Sequence, residues 1–137
     1  MEQVLDFATN NFMLVAAWAL TLAMLLWTEQ MKAGKSVGTH EATRMINKEN
    51  AVILDIRPKK EFVTGHITNA VHIPVTELDN RMTELEKHKQ KPVIVVCNLG
   101  QTAGSASKKL KAAGFENVIR LSGGMTEWRA QSLPVIK

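Results

Sequence analysis

The sequence predicts an α/β domain, a parallel sheet with helices on both faces, preceded by one transmembrane helix. Three observations predict it. No charged side chain occurs from Phe7 to Thr28. Val93-Ile94-Val95-Val96 is an unbroken β-branched run of the kind required by parallel strands buried on both faces. From Thr39 onward, short apolar runs alternate with segments at helical spacing, a pattern that gives a parallel sheet rather than hairpins.

Within the N-terminal segment, Phe12 to Trp27 is apolar apart from Thr21. A helix rises about 1.5 Å per residue, so twenty-odd uncharged residues just cross a hydrocarbon layer of about 30 Å. Trp27 falls where an interfacial aromatic belongs. A signal peptide needs a basic leading region, but Glu2 and Asp6 are acidic, and no Lys or Arg precedes Lys32. No small-x-small cleavage site follows the apolar run. A buried soluble helix is the remaining alternative. The reading divides the chain into residues 1–31 (tail and one spanning helix, about 7–28), a linker over 32–38 and a domain over 39–137. Lys32 and Lys35 follow the span, so the positive-inside rule places the domain in the cytoplasm and a short tail outside. The chain has one cysteine and therefore no intramolecular disulfide, in keeping with a reducing compartment.

The elements of the domain follow in order. Thr39 with Glu41 marks a helix start, and the helix runs to Asn47. Ala51 to Leu54 reads as a strand, Glu61 to Thr64 as a helical turn, and Ala70 to Ile73 as a short strand stopped by Pro74. Glu77 to His88 alternates charges at helical spacing over a stripe of Leu78, Met82 and Leu85. Strand 93–96, helix 103–113, strand 118–121 and a last helix near Met125–Ala130 complete the domain. About a hundred residues support one core and not two. All 17 basic residues lie from Lys32 onward, against 10 of the 13 acids, a formal charge near +7. Spread charges of this kind read as a solubilising surface, although they also suit an anionic inner leaflet. With no tyrosine, no interleaved aromatics and no binding motif, the sequence points away from nucleic acid.

Cys97 is the residue with chemistry in it. It ends the β-branched run and is followed by Asn98-Leu99-Gly100-Gln101-Thr102 and then a helical segment. A thiol at a strand end, in a tight glycine-containing loop at a helix N-terminus, meets backbone N–H groups and the positive end of the helix. Both favour an anion at sulfur. A lone cysteine is otherwise often a small buried hydrophobe, and its setting is what argues against that here.

Three segments together resemble the signatures of rhodanese domains. Leu54-Asp55-Ile56-Arg57-Pro58-Lys59-Lys60-Glu61-Phe62, with Gly65-His66-Ile67, Ala70 and His72-Ile73-Pro74, is similar to the first. Cys97 to Thr102 resembles the active-site loop. Gly114 to Val118, Leu121-Ser122-Gly123-Gly124, Trp128 and Leu133-Pro134 resemble the C-terminal signature. The match runs from about Val37 to Val135.

The resemblance implies a rhodanese-like parallel sheet and a sulfurtransferase in which Cys97 accepts a sulfane sulfur, holds it as a persulfide and yields it to a second nucleophile. Asn98, Leu99, Gly100, Gln101 and Thr102 then form the substrate-binding loop, in which Gly100 permits the tight backbone. Thr102 either offers its hydroxyl to the loop or caps the following helix. Six residues from Cys97 to Thr102 match the loop length of sulfur-transferring members. Phosphatases and arsenate reductases on this fold use seven with a terminal arginine, which is missing here. Asn98 and Leu99 are uncharged where thiosulfate-using relatives carry basic residues, which implies poor affinity for that dianion. Asp55 and Arg57, at a strand end, support the site by bracing more than by touching substrate.

His66 and His72 stand in a family context that implies structural histidines, and His40 and His88 read as surface. Metal-ligand spacing is absent, and no cofactor is implied. With no second cysteine, the acceptor must be an external thiol or other nucleophile. The implied partners are a sulfane sulfur donor, a thiol acceptor, the membrane and a membrane protein. By resemblance the location is a bacterial inner membrane. A different class of function fits the same chain: a non-catalytic rhodanese-like module tethered to the membrane that recruits or regulates a partner.

Overall fold

A computed structural model describes the backbone of residues 1–137 and the side chains of residues 1–29 and 34–137. The chain forms two compact units, Met1–Ala33 and Gly34–Lys137.

The first unit is two helices, α1 (Glu2–Asn10) and α2 (Phe12–Ala33), rather than one helix starting at Phe7. They part at Asn11, whose backbone leaves helical geometry and whose side-chain amide donates to the Phe7 carbonyl. An asparagine that competes for a helical carbonyl in this way interrupts a helix at little cost. Phe12–Glu29 is long and apolar enough to cross a membrane, and none of it is buried in the structure. This absence of burial is the opposite of what a soluble core helix shows. The helix continues to Ala33, into the expected linker. The side chain of Lys32, one of the two lysines that set the expected orientation, lies outside the described residues.

The second unit is a five-stranded, all-parallel sheet in the order β1-β5-β4-β2-β3, formed by β1 (Ser36–Val37), β2 (Val52–Asp55), β3 (Val71–His72), β4 (Val93–Val96) and β5 (Val118–Leu121). β4 lies at the centre, and all four of its residues are buried. Alternate side chains feed two cores. Val93, Val95, Leu54 and Val118 pack with Leu78, Leu85 and with Ala103, Ala106 and Leu110 of α6 (Thr102–Ala112). Ile94, Val96, Ile53, Ile119 and Leu121 pack on the other face with Ala42 and Met45 of α3 (Thr39–Lys48) and with Met125 and Trp128 of α7 (Gly124–Ala130).

Two expectations change. The linker contains β1, an edge strand of two residues paired with β5, too short to carry a pattern. The helix expected over 77–88 is instead a 3-10 turn at Val75–Glu77, α5 (Leu78–Arg81) and a 3-10 stretch at Met82–His88. Over one or two turns, three residues per turn and 3.6 place the same apolar side chains inward, so spacing does not separate them. The short α4 (Lys59–Phe62) follows Pro58 as a single turn.

Candidate active site

At the carboxyl end of β4 the chain leaves the sheet between its two cores, the edge at which open parallel sheets hold their sites. Cys97 is 5% exposed, and the Gly100 N–H donates to its Sγ at 2.9 Å. That turn requires Gly100 to take φ +89°, in the left-handed region that glycine enters freely. A Cβ there would sit 3.3 Å from the Gly123 nitrogen and the Leu121 carbonyl, so backbone would have to give by a few tenths of an ångström to admit one. Among the described residues, the backbone N–H groups of Asn98, Leu99, Gln101 and Thr102 donate to no protein acceptor. The loop thus offers several free donors beside the sulfur and ahead of an eleven-residue helix. Such an arrangement stabilises an anion held there.

The loop is held from behind by α7. The Met125 N–H donates to the Cys97 carbonyl at 2.8 Å and the Thr126 N–H to that of Asn98 at 3.0 Å. These are amides of the first turn of α7, which have no partner within their own helix. The close approach depends on Gly124 at φ +57°. A Cβ there would overlap the Cys97 carbonyl oxygen and lie 2.6 Å from that of Asn98. Trp128 is buried beside the glycine pair, its Nε1 donating to the Pro134 carbonyl at 3.1 Å. The structure adds that Gly124 seats the active-site loop itself.

A cavity of about 310 Å³ opens over the cysteine, lined by Ile56, Arg57, Pro58, Val75, Cys97, Asn98, Leu99, Gln101 and Thr102. Four of the five loop residues after Cys97 therefore face one space, and Gly100 turns away behind them. Thr102 is the first residue of α6 and its hydroxyl caps nothing. The cap position is Gln101, and no side chain fills it. Leu99, at the rim, is 62% exposed. The Asn98 side-chain amide donates to the Glu61 carboxylate at 2.6 Å. Glu61 thus fixes the first loop side chain and brings a negative charge to the mouth. Nothing in the sequence ties Glu61 to the loop, because it lies 36 positions upstream of Cys97 and only the fold joins them.

Asp55 and Arg57 are 1% and 3% exposed and pair at 2.7 Å. The Arg57 Nε also donates to the Asp55 carboxylate, and a guanidinium nitrogen donates to the Gly65 carbonyl at 2.9 Å. With its Nε and one terminal nitrogen committed to Asp55 and Gly65, Arg57 braces the strand end while also lining the cavity. His72 hydrogen-bonds to the Arg57 carbonyl through Nε2 at 2.8 Å and His66 to that of Phe62 through Nδ1 at 3.0 Å. Facing carbonyl acceptors, each of these ring nitrogens must carry the proton. Both rings stack on Phe62, with centroids 3.8 and 4.1 Å away. Among the described residues no cluster of three or more His, Cys, Asp or Glu side chains could hold a metal ion. His88, expected at the surface, instead has a buried Nδ1 with no partner.

Comparison with known proteins agrees with this fold. Residues 39–131 match the sequence profile of the rhodanese-like domain. The chain is 37% identical to YibN of Escherichia coli (strain K12), over 100% of this chain and 99% of that one. It is 32% identical to the thiosulfate sulfurtransferase GlpE of Coxiella burnetii (strain RSA 331 / Henzerling II), over 70% of this chain and 88% of that one. Among solved structures, it is similar to a rhodanese-related protein from Thermoplasma volcanium, with a TM-score of 0.68 and 27% identity over 75% of this chain and 98% of that one. With the profile covering well over half of the chain, the chain belongs to the rhodanese-like domain family.

Proposed function

We propose that the chain is a membrane-anchored sulfurtransferase that carries sulfane sulfur as a persulfide on Cys97. The observation that carries the reading is the Gly100 N–H donated to Cys97 Sγ inside a loop whose other amides are free. The Cys97 thiolate attacks the sulfane sulfur of a donor. An Sγ–S bond forms and the bond that held that sulfur in the donor breaks, S–S in thiosulfate or C–S in 3-mercaptopyruvate, its electron pair leaving on the departing sulfite or pyruvate enolate. An external thiolate then attacks the terminal sulfur of the persulfide and Cys97 leaves as thiolate, so neither half consumes an oxidant. Both enzyme forms are anions, and free amides with a helix N-terminus suit both. Asn98 and Leu99 carry no charge and Glu61 sits at the rim, which favours donors and acceptors other than the thiosulfate dianion.

Within α2, the stretch of residues 12–28 carries no charge and is unburied, which supports a single-pass anchor. Lys35 follows it and only Glu2 and Asp6 precede it, which supports an inner-membrane placement with the domain in the cytoplasm. The exposed Leu99 at the rim favours one other reading, a tethered module that docks a membrane partner through this face.

The test uses the full chain in detergent micelles, incubated with thiosulfate or 3-mercaptopyruvate and weighed intact with and without reductant. A reductant-labile gain of one sulfur, absent in Cys97→Ala, is expected. No gain from any sulfane donor by folded protein with an alkylatable thiol sinks the transferase reading in favour of the docking module.

A further inference from the structure

β5 breaks its own pattern. Val118, Ile119 and Leu121 are buried apolar residues, yet Arg120 stands between them. Its register partner on β4 is Val95, a residue of the core beneath α6, so Arg120 occupies a position on that apolar face. A charged residue at a sheet position that packing would fill with valine is a local rule broken, and such breaks concentrate at functional sites. The guanidinium reaches the first turn of α6, where a Cβ on Gly104 would lie 3.9 Å from it.

Arg120 is also unpaired. Its Nε is buried with no acceptor, and among the described residues its side chain makes no hydrogen bond or ion pair. By contrast Arg44, Arg57 and Arg81 each hold a carboxylate. Buried guanidinium donors rarely go without an acceptor, and an anion supplies one. A cleft of about 150 Å³ opens beside Arg120, lined by Ser36, Gly100, Gln101, Ser122 and Gly123. Ser36 is the other register partner of Arg120, so the hydroxyl and guanidinium share one face. No carboxylate lines this cleft. Glu127 lines a separate cavity across Gly123 and accepts a hydrogen bond from Gln131.

The cleft and the cavity over Cys97 meet at the loop, with Leu99 and Gln101 lining both. We infer that the Arg120 cleft is an anion subsite that holds the carboxylate of a low-molecular-weight thiol, or of its persulfide, while the sulfur end reaches over the loop to Cys97. The subsite supplies the cationic contact that loop positions 98 and 99 lack, and draws it from the far side of the loop. It selects an organic carboxylate of a few carbons over a compact inorganic dianion, because the charge is bound away from the sulfur. The part played by sulfur rests on the transferase reading; the anion site does not.

The experiment follows the Arg120 Nε–H and the amides of Gln101 and Gly123 by ¹⁵N NMR on the full chain in micelles. 3-Mercaptopropionate, the neutral 2-mercaptoethanol and acetate are titrated at constant ionic strength. Saturable shifts with both carboxylates and none with the neutral thiol are expected. Arg120→Gln should weaken 3-mercaptopropionate about tenfold, the worth of one charge-assisted hydrogen bond. Arg120→Lys, which keeps the charge, should retain the preference. A second arm loads Cys97 with sulfur and times its discharge, where 3-mercaptopropionate should outpace 2-mercaptoethanol by a margin that Arg120→Gln removes. Absent shifts, or equal shifts with the neutral thiol, overturn the subsite even if the persulfide forms. Carboxylate shifts without persulfide formation keep the subsite and remove the transferase.

Discussion

Replacing Gly124 by alanine tests how the active-site loop is held. The added Cβ would overlap the Cys97 carbonyl oxygen and come 2.6 Å from that of Asn98, so α7 and the loop must separate. An alanine at φ +57° costs about 1–2 kcal/mol by itself. The separation breaks the Met125 and Thr126 hydrogen bonds to the loop, at about 1 kcal/mol each. The sum is about 3–4 kcal/mol. In a domain of about a hundred residues each kcal/mol moves the midpoint by about 4–8 °C, so a fall of at least ~12 °C is expected. Gly104→Ala is the control. Gly104 lies inside α6 at ordinary φ, its Cβ would meet nothing nearer than 3.9 Å, and alanine there should stabilise by about 0.5–1 kcal/mol. The assay is thermal unfolding of the full chain in micelles by near-ultraviolet circular dichroism, with the rate of Cys97 alkylation measured alongside. Gly124→Ala should melt early and alkylate faster, as the loop no longer shields its thiol. A Gly124→Ala midpoint within a degree or two of the parent would refute the reasoning.

Three further outcomes follow from the same geometry. Asp55→Asn leaves Arg57 charged and buried without its carboxylate, and should cost about 3–5 kcal/mol in the same melt; a loss below about 1 kcal/mol would mean that the pair braces nothing. Glu61→Gln removes a negative charge from the mouth of the site and should raise the rate of alkylation by iodoacetate relative to iodoacetamide about twofold, whereas an unchanged ratio would place that charge out of range of the sulfur. Burial, with Lys87 and Lys91 adding to it, holds the His88 imidazole below its ordinary pKa of 6.5. The unfolded chain therefore takes up the proton first as pH falls, so this contribution to stability is present above 6.5 and lost below it. His88→Gln should shrink the fall in melting temperature between pH 7.5 and 5.5, and an identical fall in both proteins would show that His88 does not titrate there.

Much of the molecule could be read locally. Val93–Val96 had to be a central strand, because four β-branched apolar residues in a row need cover on both faces. The six-residue loop after it placed Cys97 at a helix N-terminus, since strand, glycine turn and helix are adjacent in the chain. The N-terminal apolar helix was legible because length and lack of charge alone mark a segment able to cross a membrane. Its interruption at Asn11 turned on one side chain competing for the Phe7 carbonyl, and the 3-10 geometry of 82–88 on a difference in winding too small to show over two turns.

What only the tertiary structure decided was which distant residues meet the loop. Ser36–Val37 is too short to announce a strand and becomes one because β5 offers it an edge. Glu61 reaches Asn98 from 37 residues away, Gly124 underlies the Cys97 carbonyl from 27, and Arg120 opens its cleft behind Gly100. Composition and spacing report which side chains a segment carries and which face it buries. They do not report which segment lies across that face, and here that is set by strand order and by the close approach that Gly100 and Gly124 allow.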